Sequence, residues 1–319
     1  MGADADLDPR LEDAHTERRN RMTGEGDDDG ATSSPNPLAQ LLEGIPVTER
    51  RADFAGVSTQ LLEGGNGPPI VLLHGLGGFG AEWGRVIPDL VGSHRVVIPD
   101  LPGHGRSGVP ASRLDAAAVI EWLRDLVVRT CAEPPTLVGH SLGGGIAARF
   151  AAEHSDQIRQ IVLVDSTSLG LFRPALGVMV AIMRFGARPS PESHDRFLRQ
   201  VMVDPERAGT GWGTRWRALE AYDIALADQP SVSAAVDHLA RRVAARRISR
   251  DKLETIGVPV SLIWGRGDRL MRFKIAKRAS ARFGWPLYPI DECGHGPHIE
   301  RPDAFVEALR DALGRDRSV

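Results

Sequence analysis

The apolar positions of this chain fall into two alternating patterns. Ile70–Leu73, Val96–Ile98, Leu137–Val138, Ile161–Val164, Val258–Ile263 and Leu287–Ile290 are short, nearly continuous apolar runs. Runs of that length without polar alternation predict strands buried on both faces, as in a parallel sheet. Leu114–Val128 and Gly143–Glu153 lie between them and read as helices covering that sheet. Gly64-Gly65-Asn66-Gly67 predicts a hairpin turn joining two early antiparallel strands.

From Ser166 to about Arg250 the strand pattern stops. Leu176–Phe185 is apolar, with Met179 and Met183 one helical turn apart, and further helical runs follow at 197–203, 216–226 and 232–248. Pro189, Pro191, Pro205 and Pro230 separate these runs. The expected organisation is a polar segment over 1–38, an α/β part over 39–165, a helical insertion over 166–250 and a second α/β part over 251–319.

Composition narrows the class. Hydrophobic residues make up 42% of 319, enough for a large core. The net charge of −3 argues against nonspecific nucleic-acid binding. Residues 1–34 hold ten acidic and four basic residues, a net of −6, which leaves +3 for the remainder. That segment has few large apolar residues and is expected to be disordered. It lacks the apolar stretch of a signal peptide, and no apolar run reaches the 18 residues of a membrane span. Cys131 and Cys293 are too few for a disulfide framework. A cytoplasmic protein is expected; nothing in the sequence specifies an oligomeric state. Arg241–Arg247 is strongly basic, either a solvated helix face or a means of steering an anionic substrate.

The chemistry centres on Gly139-His140-Ser141-Leu142-Gly143, which follows a strand pattern and opens a helical one. G-x-S-x-G in that context predicts a sharp turn that presents the Ser141 hydroxyl as a nucleophile. A serine needs a base, a group to orient the base, and donors for an oxyanion. The base candidate is His295, in Gly294-His295-Gly296 after a strand, with His298 as its neighbour and competitor. The acid candidate is Asp268, in Gly265-Arg266-Gly267-Asp268; Asp165, at the end of another strand, is the rival. The oxyanion donors are expected to be the N–H groups of Leu142 and of Leu76, in His74-Gly75-Leu76-Gly77-Gly78. Neither a Walker-type phosphate loop nor an ordered G-x-G-x-x-G occurs there. Cys293 lies two residues from His295 and reads as either a buried small residue or a redox-sensitive thiol.

These motifs, with Asp100-Leu101-Pro102-Gly103-His104-Gly105-Arg106-Ser107, occur in an order and spacing that resemble the α/β-hydrolase superfamily over roughly residues 45–315. The resemblance implies a mostly parallel eight-stranded sheet flanked by helices, with an inserted helical cap over the serine. It implies a cofactor-free, metal-free hydrolase forming an acyl-enzyme at Ser141. His104 is then a structural loop residue. Branches with an aspartate nucleophile are excluded. Met179, Met183, Phe185, Trp212 and Trp216 are candidates for a cap-side substrate pocket, or plain core.

Three functions follow from the resemblance. The first is hydrolysis of a small carboxylic ester or related acyl compound. The second is cleavage of a carbon–carbon bond in a vinylogous diketone, with Arg85, Arg173 or the Arg241 cluster meeting the anionic substrate. The third is a ligand-sensing receptor.

Overall fold

A computed structural model describes residues 36–110 and 113–314. The segment expected to be disordered, 1–38, lies outside the described residues as far as position 35. From Pro37 the chain is already helical (α1, Pro37–Leu42), with the Asn36 side chain capping the Leu38 N–H and with Leu38 and Leu41 buried.

Eight strands form one sheet. They are β1 (Thr48–Phe54), β2 (Val57–Gly64), β3 (Pro69–Leu73), β4 (Arg95–Pro99), β5 (Thr136–His140), β6 (Gln160–Val164), β7 (Val260–Gly265) and β8 (Leu287–Ile290). Their spatial order is β1-β2-β4-β3-β5-β6-β7-β8. β1–β2 and β2–β4 are antiparallel, and every other pair is parallel.

One expected turn is corrected. The hairpin closes at Ala55-Gly56, between β1 and β2. Gly64–Gly67 instead carries the chain from β2 to β3, which β4 separates in the sheet. The local glycine signal marked a real turn, but long-range pairing chose the partners.

Short helices α2 (Ile87–Val91) and α10 (Arg250–Glu254) join longer ones on the two faces of the sheet: α3 (Ala116–Thr130), α4 (Leu142–Glu153), α11 (Lys274–Phe283) and α13 (Pro302–Gly314). Strand residues alternate between two cores. Leu72, Val138, Val162 and Ile263 pack with Trp83 and Phe305, whereas Val71, Leu137, Leu163 and Leu262 pack with Trp122, Ile146 and Phe150. Burial on both faces explains why these strands read as continuous apolar runs.

The stretch 166–250 contains α5 (Leu176–Ala187), α6 (Pro191–Val201), α7 (Pro205–Trp212), α8 (Arg215–Ala227) and α9 (Pro230–Leu239). Pro191, Pro205 and Pro230 open their helices, where the missing N–H costs nothing. The run expected to be one helix over 232–248 ends as α9 at Leu239 and continues as a wider turn over Ala240–Ala244.

A single residue, Ser141, separates β5 from α4, at φ 51° and ψ −111°. A Cβ on Gly139 would sit 2.4 Å from the Gly143 carbonyl oxygen, and one on Gly143 would sit 2.4 Å from that of Leu73. Both contacts are with backbone, which has little room to yield. Gly143→Ala is therefore expected to destabilise the fold by about 3 kcal/mol or more. Urea unfolding followed by tryptophan fluorescence measures this, and an unchanged midpoint contradicts the tight turn.

Candidate active site

The strained turn points Ser141 away from the sheet, and its backbone is fully engaged. The Ser141 N–H donates to the Val164 carbonyl at 2.8 Å, while its carbonyl accepts from Gly145 and Thr167 N–H at 3.1 and 3.0 Å. A non-glycine residue at positive φ persists only when its surroundings hold it there.

Three loops at the C-terminal ends of β5, β7 and β8 bring together the side chains singled out in the sequence. Ser141 Oγ lies 3.0 Å from His295 Nε2, and His295 Nδ1 lies 2.8 Å from Asp268 Oδ2. All three residues are buried. Donation from Nδ1–H to Asp268 leaves Nε2 as an acceptor for the serine proton. Asp268 Oδ1 accepts from the Leu270 and Met271 N–H groups at 2.7 and 2.8 Å. Burial alone would raise this carboxyl, but adjacent His295 and these hydrogen bonds hold it below the usual carboxylate range.

Asp165, the rival acid, is buried behind this pair and bonds the Gly265 N–H at 3.1 Å. Burial, then repulsion from Asp268, pushes its carboxyl well above the ordinary value. Of the two aspartates, the more readily ionised is Asp268, which touches the imidazole. Ligand-type atoms of Asp165, Asp268 and His295 lie within 4.8 Å of one another. The 2.8 Å contact between His295 and Asp268 is a direct hydrogen bond. Tetrahedral zinc ligands would stand roughly 3.3 Å apart. The His295–Asp268 contact is spaced for proton handling.

Leu142 N–H opens α4, and Leu76 N–H lies in the loop after β3; neither joins a backbone hydrogen bond among the described residues. His74 braces that loop, donating from Nδ1 to the Gly75 carbonyl at 2.7 Å and accepting the Leu101 N–H at Nε2, 2.9 Å away. Asp100 accepts the N–H groups of Gly80 and Arg106 at 2.7 and 2.8 Å. Burial raises the Asp100 carboxyl to about 6, against the pull of those donors. The motif 100–107 thus ties the loop after β4 to the loop after β3. His104 bonds the Pro102 carbonyl at 3.2 Å through Nδ1, as a structural loop residue.

Two further supports escaped the sequence reading. His140 Nε2–H donates to the His295 carbonyl at 2.6 Å, linking the serine turn directly to the histidine loop. Burial and then repulsion from His295 hold His140 down to about 3. The buried Glu300 carboxylate accepts the N–H groups of Gly294, Gly296 and Val203 at 3.0, 3.2 and 2.9 Å. His295 N–H itself donates to the Val201 carbonyl at 2.8 Å. Glu300 therefore fixes both flanks of His295 and joins them to the end of α6. The spacing from Gly294 to Glu300 was the available signal.

The competitor His298 belongs to α12 (Pro297–Glu300), buried and stacked on Trp83 at 4.2 Å, with no hydrogen bond to Ser141. Cys293 is buried and its thiol is pushed up by burial, which leaves it inert at neutral pH. The five cap-side pocket candidates differ in their surroundings. Met183 is exposed, Met179 is half-buried, and half-buried Phe185 packs on His194 and Phe197. Trp212 is core, its indole N–H donating to the Ile299 carbonyl at 3.3 Å, and Trp216 borders an outer cavity of about 310 Å³. The apolar composition of α5 gave no period from which to read its inward face.

Residues 70–308 match the sequence profile of the alpha/beta hydrolase family, and the chain belongs to that family. It is 28% identical to a pimeloyl-[acyl-carrier protein] methyl ester esterase of Aeromonas hydrophila, over 78% of this chain and 97% of the relative. It is 27% identical to a 2-hydroxy-6-oxo-6-(2'-aminophenyl)hexa-2,4-dienoic acid hydrolase of Metapseudomonas resinovorans, over 84% and 91%. The fold matches the crystal structure of 2-hydroxy-6-oxo-6-phenylhexa-2,4-dienoate hydrolase from Rhodococcus sp. strain RHA1 with a TM-score of 0.74, at 22% identity over 84% of this chain and 99% of that one. Its homologues include a methyl ester esterase and a dienoic acid hydrolase, and the protein is a hydrolase of this fold.

Glu300→Ala is expected to speed amide hydrogen exchange at Gly294 and Gly296 roughly tenfold or more, with Glu300→Gln recovering part of the protection. Unchanged exchange in both variants contradicts the cradle. Asp165 yields a pH-dependent expectation. Its raised folded value means that its proton stabilises the fold fully below the unfolded value, and that this stability is lost as pH rises through the folded value. Asp165→Asn cannot ionise and keeps an acceptor for Gly265. Its melting temperature should gain on wild type as pH rises above about 4, the ordinary carboxylate value. A pH-independent difference contradicts a neutral Asp165.

Proposed function

We propose that this protein hydrolyses a small carboxylic ester or related acyl substrate through Ser141, His295 and Asp268. The observation that carries this reading is the unbroken hydrogen-bonded chain from Ser141 Oγ to Asp268. Ser141 Oγ attacks the carbonyl carbon while its proton passes to His295 Nε2. Negative charge develops on the carbonyl oxygen, where the Leu142 and Leu76 N–H groups receive it. Asp268 holds the imidazole tautomer and stabilises the imidazolium. Collapse of the intermediate expels the alcohol, which takes the proton from His295, and leaves an acyl-serine. Water then gives a proton to His295 and attacks the acyl carbon, releasing the acid and restoring Ser141. No cofactor is needed.

Carbon–carbon bond hydrolysis is the second reading, supported by the Metapseudomonas resinovorans relative. It requires a cationic group for an anionic substrate. Of the arginines considered for that task, Arg241 pairs with Asp237 on an exposed helix turn. Arg173 lines an outer cavity whose walls include none of the three site residues. The third candidate, Arg85, is half-buried with its guanidinium beside Gly211, and the ester reading needs no such cation.

p-Nitrophenyl esters of graded chain length, assayed beside vinylogous diketones, separate the two. Ester turnover peaking at one chain length and falling by at least about ten-thousand-fold in Ser141→Ala is expected. Turnover restricted to diketones overturns the ester reading. Equal turnover in Ser141→Ala overturns the nucleophile.

A further inference from the structure

Helix α5 is apolar around its whole circumference, yet only Val178 and Ala181 are buried. Leu176 is 81% exposed and Met183 58%. The helix has no acidic residue, and its one charge is Arg184. An apolar face of this kind on a water-soluble fold marks a contact surface.

The segment leading into α5 repeats the pattern. Leu171, 58% exposed, and Arg173 border an outer cavity of about 300 Å³ beside α10 and α11. Arg247, Arg272, Lys274, Arg278 and Arg282 complete a rim with no acidic member. None of these five, nor Arg173, has an ion-pair partner among the described residues. A further cation of the rim, Arg250, pairs with Glu254. Leu169, Ile275 and Phe283 add apolar surface to the wall.

We propose that this face docks the protein onto an anionic lipid bilayer. Leu171 and Leu176 enter the boundary between headgroups and acyl chains, and the cationic rim lies over the lipid phosphates. Six unpaired cations spread along a rim exceed what one small anion neutralises. Leu171 borders those cations, and the Ala175 N–H just before Leu176 donates to the Arg269 carbonyl ahead of α11; these exposed leucines add the apolar half of an interfacial contact. Charge complementarity selects anionic over zwitterionic lipid. The docking is peripheral, since no described helix is long and apolar enough to cross a membrane. It is independent of the hydrolytic reading.

Co-sedimentation of the full chain with vesicles tests this. Vesicles of phosphatidylcholine alone are compared with vesicles containing about 30% phosphatidylglycerol, at low and high salt. Binding is expected to the anionic vesicles only, with release at high salt. Arg278→Glu/Arg282→Glu is expected to lower the partition coefficient at least about tenfold. Leu171→Ser/Leu176→Ser should also weaken binding, and both variants should keep wild-type circular dichroism and melting temperature. Failure to bind anionic vesicles at low salt overturns the proposal, as does binding that neither folded variant weakens. Binding of inorganic phosphate or of polyglutamate without vesicle binding reassigns the rim to a small anion or an acidic protein, and overturns it too.

Discussion

The site depends on one backbone constraint, the reversal from β5 to α4 within a single residue. Ser141 occupies a left-handed conformation that an L-residue adopts at a cost. The turn closes because α4 begins against the β3 carbonyls, a contact only Gly143 allows. That contact sets the serine oxygen above the sheet and leaves the first N–H of the helix uncommitted. It also brings the loop after β3, with its second uncommitted N–H, alongside. Position and electrostatics of the site therefore come from the same local packing.

The surrounding groups lock this geometry at low net charge. His140 joins the serine turn to the histidine loop, and Glu300 holds that loop by two of its amides. Burial keeps His74, His140 and His298 neutral, so three imidazoles add no positive charge beside His295. Burial and the neighbouring Asp268 likewise favour the neutral form of Asp165. One carboxylate is left facing the imidazole, in a setting where its field is weakly screened. The neighbouring buried groups thus support a single polarised chain.

Much of this was legible in the sequence because it rests on local chemistry. G-x-S-x-G after a strand, Asp268 after a glycine-rich turn and Gly-flanked His295 each signal their own loop, and the parallel sheet brings their strand ends together. Glu300 was missed because its role is a convergence in space: two of its partners are close in sequence, but Val203 is 97 residues away. The partners of β2 were missed for the same reason, since a turn signal does not encode which strands pair. Helix α5 has no polar stripe, so its periodicity does not separate an inward from an outward face. Its exposed leucine and methionine became visible only once the helix was placed.

The central claim is that His295 activates Ser141 as a nucleophile. Intact-mass and peptide mapping after reaction with a fluorophosphonate tests it most directly, on wild type and on folded His295→Ala. One adduct, located on Ser141 and formed far more slowly without His295, is the expected result. An adduct on another residue, or labelling of Ser141 at the same rate in His295→Ala, contradicts it.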